Sequence, residues 1–168
     1  LLAAGQVLDN QSGSGSDATV AMGMERTIEV NKNLPGGAKV MVVNMSLGAN
    51  INNADHSLAK LVEKMEAEGI LVVMAAGNSG PGVGSIGVPA SSRAGIASTA
   101  LGKSDRVASF SSRGPARDGQ GKIIKKAIVA QYGEGVVVDG RSINGTSFSS
   151  PHVAGLVADV LEAAIAAF

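Results

Sequence analysis

The sequence contains no cysteine and no tryptophan, one tyrosine and three phenylalanines. Without cysteine there are no disulfides, no thiolate metal sites and no cysteine nucleophile, and the redox compartment stays open. Three Phe and one Tyr are too few for the stacking platforms that hold single-stranded nucleic acid or sugars. The core must be built from Val, Ile, Leu, Met and Ala. A charge excess is also missing, because 14 basic residues balance 14 acidic ones. That excludes nucleic acid as an expected partner. The longest apolar run, Val153 to Phe168, is too short to cross a bilayer and contains Asp159 and Glu162, so no membrane partner is expected. No charged n-region precedes an apolar h-region, so no signal peptide is visible. The chain opens on Leu1 rather than Met and is expected to be a piece of a soluble protein that starts mid-fold.

Glycine is present in quantity, at 23 of 168 residues, often in short runs with Ser and Pro. Loops whose backbone itself makes contacts are the natural expectation. With 45% hydrophobic and 17% charged residues, the composition is that of a folded chain. Its length suits one domain, and no repeat or linker marks a second.

Hydrophobic spacing predicts the elements. Residues 11–17 read as a turn ending in an N-cap. A helix follows over about Asp17–Asn31, with Val20, Met24 and Ile28 on one face. Val40–Met45 is a Val-rich run suited to a strand buried on both faces. Asp55–Glu68 is the clearest helix. Its Leu58, Leu61, Val62 and Met65 keep helical spacing, and Gly69 suits the position after its end. Ile70–Met74 is a second buried strand. Shorter strands are expected at 95–101, 107–110 and 123–130. A final helix over about 148–167 is apolar around most of its circumference and is expected to be largely buried, with Pro151 in or just after its first turn.

Strand, helix and strand over residues 40–75 make a βαβ unit. The fold class is therefore α/β, with a doubly wound parallel sheet. Ligands of such sheets bind outside the carboxyl ends of the strands. The places to inspect are Ser46-Leu47-Gly48 and Ala75-Ala76-Gly77-Asn78.

Several motifs are decoys. Gly82-Val83-Gly84-Ser85-Ile86-Gly87 matches the dinucleotide fingerprint, but Pro89 and a Ser/Ala stretch follow instead of a helix, so it reads as a mobile loop. The sequon at Asn44 lies in a predicted buried strand and is taken as chance. Lys122 to Lys126 reads as a strand with solvated lysines. His56 is expected on the surface, and His152 as a buried structural histidine.

The string Asn144-Gly145-Thr146-Ser147-Phe148-Ser149-Ser150-Pro151-His152 carries the chemistry. A Gly-Thr-Ser turn feeding an apolar helix places a hydroxyl where free N–H groups and the helix dipole favour developing negative charge. On local physics alone, Ser147 is a nucleophile or simply an N-cap. The full string resembles the nucleophile segment of the subtilisin-like (S8-type) serine peptidases. Val43 to Gly48 resembles the family's cleft-lining strand. Val73 to Gly80 resembles its oxyanion-asparagine segment, and Ala108 to Pro115 the segment that follows. All four stand in the family's order, and together they span most of the chain.

The resemblance implies a serine endopeptidase working through an acyl-enzyme on Ser147, with Asn78 as oxyanion-hole donor. Ser46, Leu47 and Gly48 would pair with the backbone of a peptide or protein substrate. Ala75, Ala76 and Gly77 would wall the pocket, and Thr146 would support the oxyanion site. No cofactor is required, although structural calcium is possible in the complete domain, and export is implied. The family's catalytic Asp and His segments do not occur in the chain. Residues 1–168 are therefore expected to be a partial peptidase domain, inactive alone, whose partner is the missing N-terminal part of the same domain. Phe148 replaces the family's usual Met, and Lys125 to Gly133 departs from its Lys-Pro-Asp-Ile-Val-Ala-Pro-Gly string. These departures keep open a non-catalytic homologue that binds peptide or a protein partner. His56 as a substitute base is the remaining alternative.

Overall fold

A computed structural model describes residues 2–124 and 126–167. The chain divides into two compact units, residues 1–40 and 41–168. In the first, helix α1 (Asp17–Asn33) is capped by Ser16, whose Oγ accepts from the Thr19 N–H while Thr19 Oγ1 accepts from the Ser16 N–H. This reciprocal pairing satisfies two otherwise orphaned donors. Val20, Met24 and Ile28 are buried along one face as their spacing requires, and Asn31 joins them. The Asn31 amide accepts from the Val40 N–H at 2.7 Å and donates to the Val40 carbonyl at 3.3 Å. It engages the chain as a neighbouring strand would.

The second unit is built on a four-stranded sheet in the order β1 (Val42–Met45), β2 (Leu71–Ala75), β3 (Ile96–Leu101), β6 (Ala127–Tyr132). All three pairings are parallel. Helix α2 (Ser57–Ala67) makes the crossover from β1 to β2, and α3 (Thr146–Ala166) packs against all four strands. The helices take opposite faces. Met74 of β2 and Val62 of α2 close on the same point beside Gly95, whereas Ser98 of β3 bonds Ser149 of α3. In register, Met74 opposes Ala97 and Ala75 opposes Ser98, so the two sets of side chains alternate across the sheet. The expected doubly wound α/β architecture is the one observed. At the core, Val62, Val72, Val73 and Met74 are fully buried.

Gly95 turns the chain into β3 at φ +67°, and a Cβ there would lie 2.5 Å from the Val72 carbonyl oxygen. Only glycine fits both constraints.

Several expectations are corrected. β1 is half-buried rather than buried on both faces, and its Asn44 is exposed. Among the described residues β1 pairs with β2 alone, so it lies at the sheet's edge. No strand forms over 107–110; Val107 makes a single bridge to Leu101 before the chain turns. The expected strand over 123–130 splits. β5 (Ile123–Ile124) pairs antiparallel with β4 (Ala116–Arg117), while β6 joins the main sheet. Lys125 lies outside the described residues. Lys126 is not solvated: its Nζ donates to the carbonyls of Ala94 and Gly95, and burial pushes its pKa down to about 8 against the opposing pull of Glu66. A hairpin of β7 (Val136–Val138) and β8 (Arg141–Ile143) turns at Asp139-Gly140, both at positive φ. Asp-Gly is the dipeptide such a turn favours.

Helix α3 also differs. It begins two residues earlier than expected, and Pro151 is its sixth residue. Thr146, Ser149, Ser150 and Val153 are buried, but Leu156, Val160 and Ile165 are 55%, 67% and 61% exposed. The sheet covers only the first turns of a helix that is apolar all round.

One charged cluster ties remote loops together. The Asp55 carboxylate accepts from the Gly119 N–H, from Arg93 and, at 3.4 Å, pairs with Lys60. The Gly119 N–H first, then Arg93, hold its pKa down to about 2.

Two measurements test this architecture. Met74→Ala should lower unfolding free energy by about 2–5 kcal/mol in urea titrations, through lost transfer energy and an unfilled cavity. For Asp55, the folded-state pKa of about 2 lies below an unfolded value near 3.9. Its stabilisation is therefore fully present above about pH 4 and lost as pH falls toward 2. The denaturation midpoint of Asp55→Asn should trail the wild type at neutral pH and converge with it across that acidic window.

Candidate active site

The sheet brings the two expected strand ends together with the start of α3. Ser46, Leu47 and Gly48 leave β1, and Ala76, Gly77 and Asn78 leave β2. Ala75, the last residue of β2, and Ala76 are buried; Gly77 is half-buried and Asn78 exposed. Gly133 accepts from the Gly145 N–H at 2.8 Å, and α3 begins at the next residue.

Thr146 is the joint. It is 1% exposed, its N–H donates to Asn78 Oδ1 at 2.9 Å, and its hydroxyl donates to the same oxygen at 3.0 Å. The Thr146 Oγ1 also accepts from the Gly77 N–H at 3.2 Å. With Oδ1 engaged twice, the rotamer of Asn78 is fixed. Its Nδ2 has no hydrogen-bond partner among the described residues, and it lies beside Gly145, 3.6 Å from where a Cβ would stand there. The Phe148 ring closes on the same point at 3.5 Å. An uncharged donor held this way is suited to an oxygen that gains negative charge.

Ser147, half-buried, is the second residue of α3, within the turn whose N–H groups have no intrahelical acceptor. Its Oγ donates to the Ser46 carbonyl at 3.2 Å. A carbonyl is no base, so this bond holds the hydroxyl without activating it. One histidine stands at the start of α2 and the other within α3. His56 caps α2, its Nδ1 accepting from the Leu58 N–H at 3.3 Å. His152, expected to be buried, is exposed on α3 because the sheet lies against the other side of that turn.

The loops around the site are fixed from several directions. Ala49 and Val88 form an antiparallel bridge with bonds of 2.9 and 3.0 Å, and a Cβ on Gly48 would meet the Val88 carbonyl at 2.5 Å. The glycine loop expected to be mobile is instead pinned: the N–H groups of Gly84 and Ile86 donate to the carbonyls of Gly114 and Arg113, and that of Gly87 to Ala76. Val83 at its tip is 83% exposed, while Ile86 is buried. The Ser111–Ser112 segment braces the other side, with Ser112 Oγ accepting from the Ser79 N–H at 3.1 Å and the Ser112 N–H donating to Gly77.

Two residues near Ser147 escaped the sequence reading. Ser150 Oγ donates to Asn44 Oδ1, and Asn44 Nδ2 donates to Ser46 Oγ at 3.0 Å. The available signal was a lone polar residue in the run Val42-Val43-Asn44-Met45. With both ends of its amide engaged, Asn44 is not presented as a glycosylation acceptor.

Comparison with known proteins gives a consistent family. The Peptidase S8 model, described as the subtilase family, matches residues 2–166. Serine protease AprX of Bacillus subtilis (strain 168) is 33% identical over 179 residues, covering 91% of this chain and 40% of its own length. Subtilisin DY of Bacillus licheniformis is 35% identical over 154 residues, covering 90% of this chain and 51% of its own. The solved structure of the S41 psychrophilic protease superposes with a TM-score of 0.71 at 32% identity, over 89% of this chain and 51% of that one. The chain thus spans about half the length, or less, of the relatives it matches.

The Thr146 joint is open to test. Thr146→Val removes an acceptor from the Gly77 N–H and a donor from Asn78, and should cost about 1–3 kcal/mol in chemical unfolding. Thr146→Ser, which keeps the hydroxyl, should retain most of that.

Proposed function

The chain belongs to the subtilase family of serine peptidases, and from that premise we propose that it is the nucleophile-bearing part of a serine endopeptidase domain. The observation that carries this is the joint at Thr146, which leaves the Asn78 Nδ2 uncommitted beside the helix turn that holds Ser147. In the proposed reaction Ser147 Oγ attacks a peptide carbonyl. The tetrahedral oxyanion is received by the Asn78 amide and the Ser147 N–H, and collapse expels the amine to leave an acyl-enzyme. Ser46, Leu47 and Gly48 hold the substrate backbone as an added strand. Ala75, Ala76 and Gly77 wall the adjacent pocket, and Thr146 sets the donor.

The general base and its orienting carboxylate come from sequence outside this chain, which alone retains only the residual rate that binding and an oxyanion site provide. The partner is then the remainder of the same domain. The half-buried β1 edge and the exposed Leu156, Val160 and Ile165 are the apolar surface it would cover. The chemistry asks for no cofactor, calcium would be structural in the complete domain, and the working compartment would be extracellular. No helix among the described residues is long and apolar enough to cross a membrane.

One observation favours a second function. The Phe148 ring borders the space beside Asn78 Nδ2, and crowding there suits a homologue that binds peptide or a protein partner without hydrolysis.

A fluorophosphonate probe separates the two. The protein as its gene encodes it should be labelled at Ser147, as located by mass spectrometry, and Ser147→Ala should abolish labelling. Asn78→Ala should lower kcat by about 10²–10³, a magnitude taken from a subtilisin rather than derived from this chain. Unlabelled wild type, with peptide binding intact, would establish the non-catalytic alternative.

A further inference from the structure

The carbonyl of Ser147 lacks the partner that a helix normally provides. In α3 it should accept from the N–H of residue 151, but that residue is Pro151, which has none. An unpaired carbonyl in a half-buried turn is costly, so its bonding has to be found elsewhere. It is found on β1. Ser46 Oγ donates to the Ser147 carbonyl at 2.9 Å, across 101 residues of sequence. The same two residues meet a second time, where Ser147 Oγ donates to the Ser46 carbonyl.

The direction of the first bond is fixed by the carbonyl, which can only accept. Ser46 Oγ accepts from Asn44 Nδ2, so its single proton is committed to Ser147. Asn44 Oδ1 is occupied in turn by the Ser150 hydroxyl, from the turn of α3 that contains the proline. Ser150, Asn44 and Ser46 form one chain of hydrogen bonds that leaves α3, crosses to β1 and returns to end on the Ser147 carbonyl.

We propose that Ser46 is a positioning residue for the nucleophile: its hydroxyl substitutes for the helix hydrogen bond that Pro151 removes, and so fixes the turn that aims Ser147. This rests on the assignment of Ser147 as nucleophile. It is separate from the pairing of Ser46 with substrate, which uses backbone groups rather than Oγ. Pro151 frees the carbonyl, Ser46 claims it, and the first turn of α3 is held to the residue that follows β1 instead of to its own next turn. The peptide plane that bears the Ser147 carbonyl is then set by Ser46, which Asn44 of β1 holds in turn.

The test is a cycle of Ser46→Ala and Pro151→Ala in the protein as its gene encodes it, with Ser46→Thr as the conservative variant. Ser46→Ala should slow fluorophosphonate labelling of Ser147 about tenfold, the scale of one net hydrogen bond. The pH dependence of labelling should not change, since no titrating group is removed. Ser46→Thr should restore most of the rate. With Pro151→Ala the helix regains an N–H for the Ser147 carbonyl, so Ser46→Ala in that background should slow labelling less than about threefold. The denaturant midpoint, which needs no activity, should show the same coupling, with a smaller drop for Ser46→Ala when residue 151 is alanine.

Equal effects of Ser46→Ala in both backgrounds, on both readouts, overturn the proposal. Coupling in the midpoint with an unchanged labelling rate overturns the positioning role and leaves a structural bond. Wild type that is not labelled overturns the nucleophile assignment instead, and the midpoint cycle tells that failure apart from a missing link between Ser46 and Ser147.

Discussion

The two hydrogen bonds that Thr146 sends to Asn78 Oδ1, with the one it accepts from Gly77, connect the end of β2 to the start of α3. Everything at the site is referenced to that joint. It fixes which way the Asn78 amide faces, and it begins the helix whose next residue is Ser147. It also brings the Ser46 carbonyl within reach of the Ser147 hydroxyl. Without it the strand end and the helix would be two loops that happen to be adjacent.

Small hydroxyl side chains make the junctions here, in place of large apolar ones. Ser98 and Ser149 bond each other across the β3–α3 contact, and Ser149 also donates to the Thr99 carbonyl at 2.6 Å. Ser111 accepts from the Ala100 N–H, and Ser92 donates to the Ala59 carbonyl. Such residues let backbones approach closely while meeting their buried polar groups. That is how a chain with so few aromatics closes its core. Ser91 Oγ is the exception, buried without a partner among the described residues.

Much of this was legible in the sequence, unevenly and for physical reasons. The face of Val20, Met24 and Ile28, the stripe on α2 and the parallel pairing of β1 and β2 follow from periodicity and a short connection. The two strand ends follow from where parallel sheets bind ligands. Of the segments quoted for the family resemblance, 43–48 bonds Ser147, 73–80 bonds Thr146 beside it, and 108–115 braces Gly77 and Ser79. What failed depended on tertiary placement. Composition could not say that β1 lies at an edge, or that α3 is covered over its first turns only. A single run of isoleucines and lysines gave no sign that it divides between two sheets, nor that Lys126 turns inward to bond Ala94 and Gly95. The Asp139-Gly140 hairpin carries its own sequence signal, the dipeptide at its turn. The link from Ser150 through Asn44 to Ser46 was not readable, because its members are about a hundred residues apart.

That separation bears on how the molecule comes into being. Chains emerge from synthesis N-terminus first and fold by units. Ser46, Leu47 and Gly48 are made before α2 and β2. Gly77 and Asn78 follow. Ser147 arrives only with α3, after every strand it packs against has been made. Contacts this remote in sequence form late. The bonds between Ser46 and Ser147 therefore form only once the whole span from β1 to α3 has been made, and until then the Ser46 hydroxyl and carbonyl lack the partners they have in the fold.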